Sequence, residues 1–196
     1  MAQALAKLLV PLQVVMDRLE LVPPALAALT PTATAADGLQ ALLANGLSQE
    51  GIHLLAHALP RREAVWWACM CADATVPAAL APEDRAARDA AEAWVRNAGE
   101  EALRRAAGEA AQRTGFQSPE AWVAMAAFWS GGSMAPEGVP TVAPGEAFTG
   151  RAVAGSVLLA AVRLRPADAA ARLLRFIESA RDIASGGAGR LSPEET

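Results

Sequence analysis

The stretch REAVWWACMCA, residues 62–72, carries apolar side chains on every side of the helix its composition favours. Val65, Trp66 and Cys69 fall on one face, and Trp67 and Cys71 on the other. A helix with one apolar stripe can lie on a surface, whereas a helix apolar all round has to be enclosed by neighbours. This segment therefore predicts a central helix, and a central helix predicts a bundle built around it.

The rest of the chain supplies the neighbours. It has 196 residues, enough for one domain with a sizeable core. Hydrophobic residues make up 53% of it, many of them alanine, which favours helix and covers little area per residue. Tyrosine is absent and β-branched residues are sparse, so the fold class expected is all-α: a compact, alanine-rich bundle of about seven helices, with tandem helical hairpins as one arrangement.

Prolines and glycines divide the chain. Leu5, Leu8, Leu9, Leu12, Val15, Met16 and Leu19 recur at three- and four-residue steps, so residues 1–22 read as an amphipathic helical arm, with Pro11 either kinking it or marking a late start. Residues 23–36, rich in Pro, Thr and Ala, read as a linker, and 37–184 as a single helical domain. Asp37 and Ser48 are the expected caps of two helices, the first ending at Asn45-Gly46 and the second near Leu59. A third helix covers 61–73. From Glu83 to Arg113 the pattern is long and charged on its outer face, and Asn97-Ala98-Gly99 predicts its division into a hairpin. Ser118-Pro119-Glu120 opens another helix, with proline at the first helical position. A loop follows over 131–145, then two helices near 147–164 and 167–184 separated by Pro166. Residues 185–196 read as a disordered tail.

Charge and cysteine usage exclude several classes. Seventeen basic against twenty-one acidic residues leave a net charge of -4 and no basic excess for a phosphate backbone. No nucleic-acid partner is expected. Sixteen of the seventeen basic residues are arginine, Lys7 being the exception. Two cysteines are too few for the disulfide framework of a small secreted protein, so the expected location is cytoplasmic. Asp17, Arg18 and Glu20 interrupt the N-terminal apolar run, which argues against a signal peptide. No apolar run reaches eighteen residues, so no membrane span is expected.

The candidate chemistry is thin. His53 and His57 lie four apart at the edge of a helix, a spacing at which two imidazoles can share a metal ion, with Glu50 or Glu63 as further ligands. The more ordinary reading is a pair of boundary histidines. Cys69 and Cys71 point about 160° apart on a helix and cannot share one zinc ion; both read as small hydrophobes. Gly131-Gly132-Ser133 lacks the Lys of a phosphate loop. No general acid/base couple is visible, and neither a catalytic residue nor a cofactor is expected. Arg61, Arg62 and Glu63 at the start of the central helix, together with Trp66 and Trp67, are the candidate protein-binding residues. The two tryptophans point about 100° apart, so one can be core while the other reaches a partner. A faint echo links REAVWWACMCA to PEAWVAMAAFW at 119–129, two helices with paired bulky aromatics among small residues.

LLAHALPRREAVWWACMCA at 54–72, AEAWV at 91–95, FWSGGSMAP at 128–136 and TGRAVAGSVLLAAVR at 149–163 together resemble the recurring blocks of a family of uncharacterised bacterial proteins, over roughly 37–184. The family carries no activity to transfer. Its genes are often found among type VI secretion components, and the resemblance implies a protein-binding accessory role: an adaptor or chaperone for a secretion effector or spike component. An immunity protein that binds a cognate toxin is the alternative, and a metal-dependent enzyme using His53 and His57 a more distant one. The expected partner is a protein, with a second copy of the chain as one candidate.

Overall fold

A computed structural model of the protein describes residues 5–194. Among these residues there are ten α-helices, one short 3-10 turn and no strand. Ten rather than about seven arise because nearly every proline or glycine break closes a separate helix, and because the N-terminal segment contributes two short ones.

The helices are α1 (Leu12–Met16), α2 (Pro23–Leu29), α3 (Ala35–Ala44), α4 (Ser48–Ala58), α5 (Arg61–Ala74), α6 (Pro82–Arg96), α7 (Glu101–Gln112), α8 (Pro119–Phe128), α9 (Phe148–Val162) and α10 (Ala169–Ala184), with the 3-10 turn Pro166–Asp168 between the last two. Helices α5, α8 and α9 pack on one another and form the centre. On one side α6 and α7 form the hairpin expected from Asn97-Ala98-Gly99 and lie against α8; on the other, α4 and α10 pack on both α5 and α9, and α3 packs on α4. The helix apolar all round is thus the one that touches both groups. Of its side chains, Val65, Trp67, Cys69 and Cys71 are fully buried.

Small residues let these helices approach closely. The Phe128 ring lies against Gly108, where any Cβ would sit 2.7 Å from ring atoms. Gly150 of α9 receives the His57 ring in the same manner. Alanine supplies much of the remaining contact surface, including Ala64, Ala68, Ala124, Ala127, Ala154 and Ala161. Helices joined through alanine and glycine lie close, so dispersion contacts replace the area that larger side chains would bury.

The ends of the chain depart from expectation. The helix in the N-terminal arm is only five residues long and begins after Pro11, so the proline marks a late start. Leu12 and Val15 are buried and Leu9 is 80% exposed. Pro23 opens α2 inside the segment expected as linker. Thr34, also in that segment, caps α3: its hydroxyl accepts from the Asp37 N–H at 3.1 Å and donates to the Asp37 carboxylate at 2.7 Å. Asp37 is therefore the far side of the cap rather than the cap itself. Ser48 is the first residue of α4 and makes no cap.

Residues 185–194, expected as disordered, run back along α10 to α5. The Ser179 hydroxyl donates to Gly189 O at 2.6 Å, Gly189 N donates to Asp182 at 2.8 Å, and Glu194 N donates to Ala74 O at 2.8 Å. This segment is held by hydrogen bonds to α10 side chains, and its one large apolar residue, Leu191, packs against the core.

The arginine bias has a structural reason. The last carbonyls of an α-helix lack intrahelical donors and carry negative partial charge. Arg163 donates to Ala72 O and Thr75 O at the end of α5 through Nη2 and Nε, and its Nη1 donates to both carboxylate oxygens of the fully buried Glu120 at 2.8 and 2.9 Å. Arg172 donates to Ala161 O and Arg165 O at the end of α9, both at 2.8 Å. Arg104 reaches Phe128 O and Ser133 O beyond α8, is held by Glu101, and lies 4.7 Å above the Phe128 ring. Only a planar fork with five donors can serve a carboxylate and two carbonyls at once.

Candidate functional site

The five motif side chains singled out at the start of α5 point to five different parts of the molecule. Arg61 donates to Ser130 O and Arg62 to Val95 O, each at 2.7 Å. These carbonyls lie at or just beyond the C-terminal ends of α8 and α6, where a cation is favoured. Arginine is unfavourable at the positive N-terminal end of a helix, but here only the backbone of Arg61 and Arg62 sits there, and their guanidiniums sit at the negative ends of other helices. Glu63 pairs with Lys7 at 3.3 Å. Trp67 is fully buried and donates to Phe176 O at 2.8 Å. Trp66 is half-buried, and its indole donates to Ala188 O at 2.8 Å. The motif is thus a junction tying α5 to α6, α8, α10 and both terminal segments. Trp66 is the ring that reaches the surface.

Cys69 and Cys71 are buried and free. Burial pushes both thiols well above the ordinary range, which keeps them un-ionised and poor nucleophiles.

His53 and His57 line a cleft of about 420 Å³ between α4, the start of α9 and residues 18–22. Gln49, Glu50, Arg18, Glu20 and Arg151 are its other polar residues; Leu19, Leu21 and Val22 are its apolar ones. His57 is 5% exposed, and its buried Nε2 has no hydrogen-bond partner. Its pKa is lowered to about 4, first by burial and then by nearby His53, Arg18 and Arg151. His53 is also lowered, by burial, with Glu50 opposing. Both imidazoles are therefore neutral near pH 7. Glu63, expected as one possible further ligand, pairs with Lys7 instead. Among the described residues no three His, Cys, Asp or Glu side chains converge on a metal-sized space.

The structure also assembles a feature that the sequence reading did not single out. Phe116, Trp122, Trp129 and Phe148 form a continuous ribbon of tilted rings, with successive centroids 6.3, 6.5 and 5.2 Å apart. Trp122, Trp129 and Phe148 are half-buried, and Phe116 is 40% exposed. Phe116 stands in the left-handed backbone region at φ 61°, which is strained for a bulky residue. The strain is held by the Thr114 hydroxyl accepting from Phe116 N at 3.2 Å and by the Trp122 indole donating to Phe116 O at 3.2 Å. The signal available in the sequence was the W-x6-W spacing of Trp122 and Trp129, which places both on one side of α8 and its end. Phe148 joins them from α9, and no local pattern could have announced it.

The chain belongs to a family of unknown function (DUF6931), whose model matches residues 38–184. No curated protein and no solved structure matches it. The matched span contains α4 to α10, the arginine clasps and the aromatic ribbon. The segment that walls the histidine cleft at 18–22 and the strand of chain that covers Trp66 lie outside it.

Proposed function

We propose that this family member is a non-enzymatic, protein-binding accessory factor: an adaptor or chaperone for an effector or spike component of a type VI secretion system. The observation that carries the protein-binding part is the aromatic ribbon. Tryptophan dominates protein–protein hot spots because a rigid, amphipathic ring buries much area at small entropic cost. Two tryptophans and two phenylalanines in one half-exposed row, ending in a strained Phe116, offer such a surface. The secretion context rests on the resemblance of the motif blocks to proteins encoded among secretion components. Arg61, Arg62, Glu63 and Trp67 support the body of the molecule in this reading, and Trp66 is a secondary contact beside the C-terminal segment.

The test is tagged capture from the native bacterium, with Phe116→Asn and Trp122→Ala variants run in parallel. Asparagine tolerates the left-handed backbone, so Phe116→Asn removes a ring without adding strain. Wild type is expected to enrich an effector or spike component, and both variants are expected to lose it while Phe116→Asn keeps its melting temperature. Enrichment unaffected by either variant, or no enriched protein at all, rejects the reading. Enrichment of a single toxin that the chain neutralises transfers the role to immunity.

A further inference from the structure

We propose that the exposed arginines at the start of α5 and the end of α6 dock an acidic, extended protein segment that carries an apolar side chain between its carboxylates. This surface is separate from the aromatic ribbon and shares no residue with it. Most arginines of the chain are paired with a carboxylate. Among the described residues Arg61, Arg62, Arg85 and Arg190 are the ones without an ion pair. Only Arg61 and Arg62 are neighbours, and both are exposed. Each commits one nitrogen to the fold, Nη1 of Arg61 to Ser130 O and Nε of Arg62 to Val95 O. A guanidinium has five N–H groups, so most of their donors face water.

Two clefts meet at Arg62, and the charges of both are net positive. In the first, of about 380 Å³, Arg61, Arg62 and Arg104 face Glu100 and Glu101. Arg104 and Glu101 bond to each other, which leaves two cations against one acid. In the second, of about 270 Å³, Lys7, Arg62 and Arg96 face Glu63 alone. Lys7 and Glu63 pair, which leaves Arg62 and Arg96. The Arg96 side chain is 65% exposed, and its carboxylate partner, Glu92, is shared with Arg88. A cationic patch on a chain of net charge -4 is complemented by acid, and such complementarity selects partner and register. Arginine presents a fork that matches two carboxylate oxygens. The floor of the second cleft is apolar: Val95 and Ile183 are buried there, and the half-buried Trp66 lies beside them. Carboxylates therefore meet the arginines while an apolar side chain meets Trp66. A small anion reaches one cleft only, whereas an extended chain, advancing about 3.3 Å per residue, crosses Arg62 and occupies both. A nucleic-acid backbone needs a broader basic face than this one, on a molecule without a net negative charge.

The test is fluorescence anisotropy with the full-length protein. The probes are a labelled peptide Asp-Glu-Leu-Glu-Asp and its uncharged match Asn-Gln-Leu-Gln-Asn with the same label. Inorganic phosphate and single-stranded oligothymidylate are the competitors. The acidic peptide is expected to bind saturably, more weakly as salt rises, and the uncharged match at least tenfold more weakly. Neither competitor is expected to displace the peptide at equal concentration. Arg62→Gln is expected to raise the peptide Kd at least tenfold. Arg96→Gln is expected to raise it several-fold; this side chain is held only by its ion pair at the surface, so the variant carries the test should Arg62→Gln fail to fold. Four outcomes overturn the proposal: no saturable binding of the acidic peptide by wild type, equal affinity for the uncharged match, a Kd unchanged by the folded substitutions, or displacement by phosphate or oligothymidylate at equal concentration.

Discussion

His57 shows what a single residue can do to the stability of this molecule. Its pKa falls from 6.5 to about 4 on folding because burial and neighbouring positive charge disfavour the imidazolium. Between those values the unfolded chain binds the proton and the folded chain does not. The neutral ring's contribution is therefore full above about pH 6.5 and is lost as pH falls toward 4, with a span of about 3 kcal/mol. Urea melts between pH 7 and 5 are expected to show stability dropping with acidification in the wild type, and a shallower slope in His57→Gln. Equal slopes would mean that the proton is accommodated in the fold. The placing of His53 and His57 on one helix edge was legible from their four-residue spacing. That Gly150, Arg18 and Arg151 surround the ring was not, because they lie 39 to 94 residues away and nothing local marks them.

At the scale of elements, the helices are joined end to side by arginine. Arg163 links α9 to the end of α5 and to Glu120 in the first turn of α8. Glu120 is fully buried. Glu120→Ala leaves the guanidinium facing no carboxylate and is expected to destabilise by about 3–5 kcal/mol in urea melts. In a simple buried ion pair, replacing both partners with apolar residues restores most of that loss. Here Glu120→Leu with Arg163→Met is expected to recover less than half, because Ala72 O and Thr75 O also lose their donor. Full recovery would show that the carbonyl contacts add nothing. Helix boundaries were readable because proline, glycine and capping hydroxyls act within a few residues: Ser118 accepts from Ala121 N as the Ser-Pro-Glu triplet predicts. Ser48 and Asp37 failed as caps because Leu47 and Thr34 occupy those positions, a displacement of one and three residues. Which arginine serves which helix end depends on how the helices stack, and a chain with sixteen arginines offers too many pairings to choose from its order alone.

For the molecule as a whole, both terminal segments close over the same central helix. Lys7 meets Glu63 near the first turn of α5, Ala188 O receives the Trp66 indole, and Glu194 pairs with Arg172 and Arg175 at 2.8 and 2.6 Å. The Arg172 side chain is only 2% exposed. Removing residues 185–196 takes away its closest carboxylate, leaving Asp168 at 3.6 Å. That deletion is expected to cost about 2–4 kcal/mol, read as a lower melting temperature, and to shift the Trp66 indole N–H resonance away from its hydrogen-bonded position. An unchanged melting temperature would make the segment a passenger rather than part of the body. No helix among the described residues is long and apolar enough to cross a membrane, in keeping with an apolar content spread over many short helices.

The amino-acid order by itself determined the all-helical class, the positions of most helix breaks and the central place of α5. Each follows from forces that act within one or two helical turns: propensity, capping, and the angular spread of apolar side chains. Tertiary structure alone decided which tryptophan is core, what the arginines hold, the joining of Phe116, Trp122, Trp129 and Phe148 into one face, and the closing of residues 18–22 over two histidines. These depend on which helix lies beside which, and that is set by the mutual fit of many alanine-lined surfaces that look alike when read one at a time.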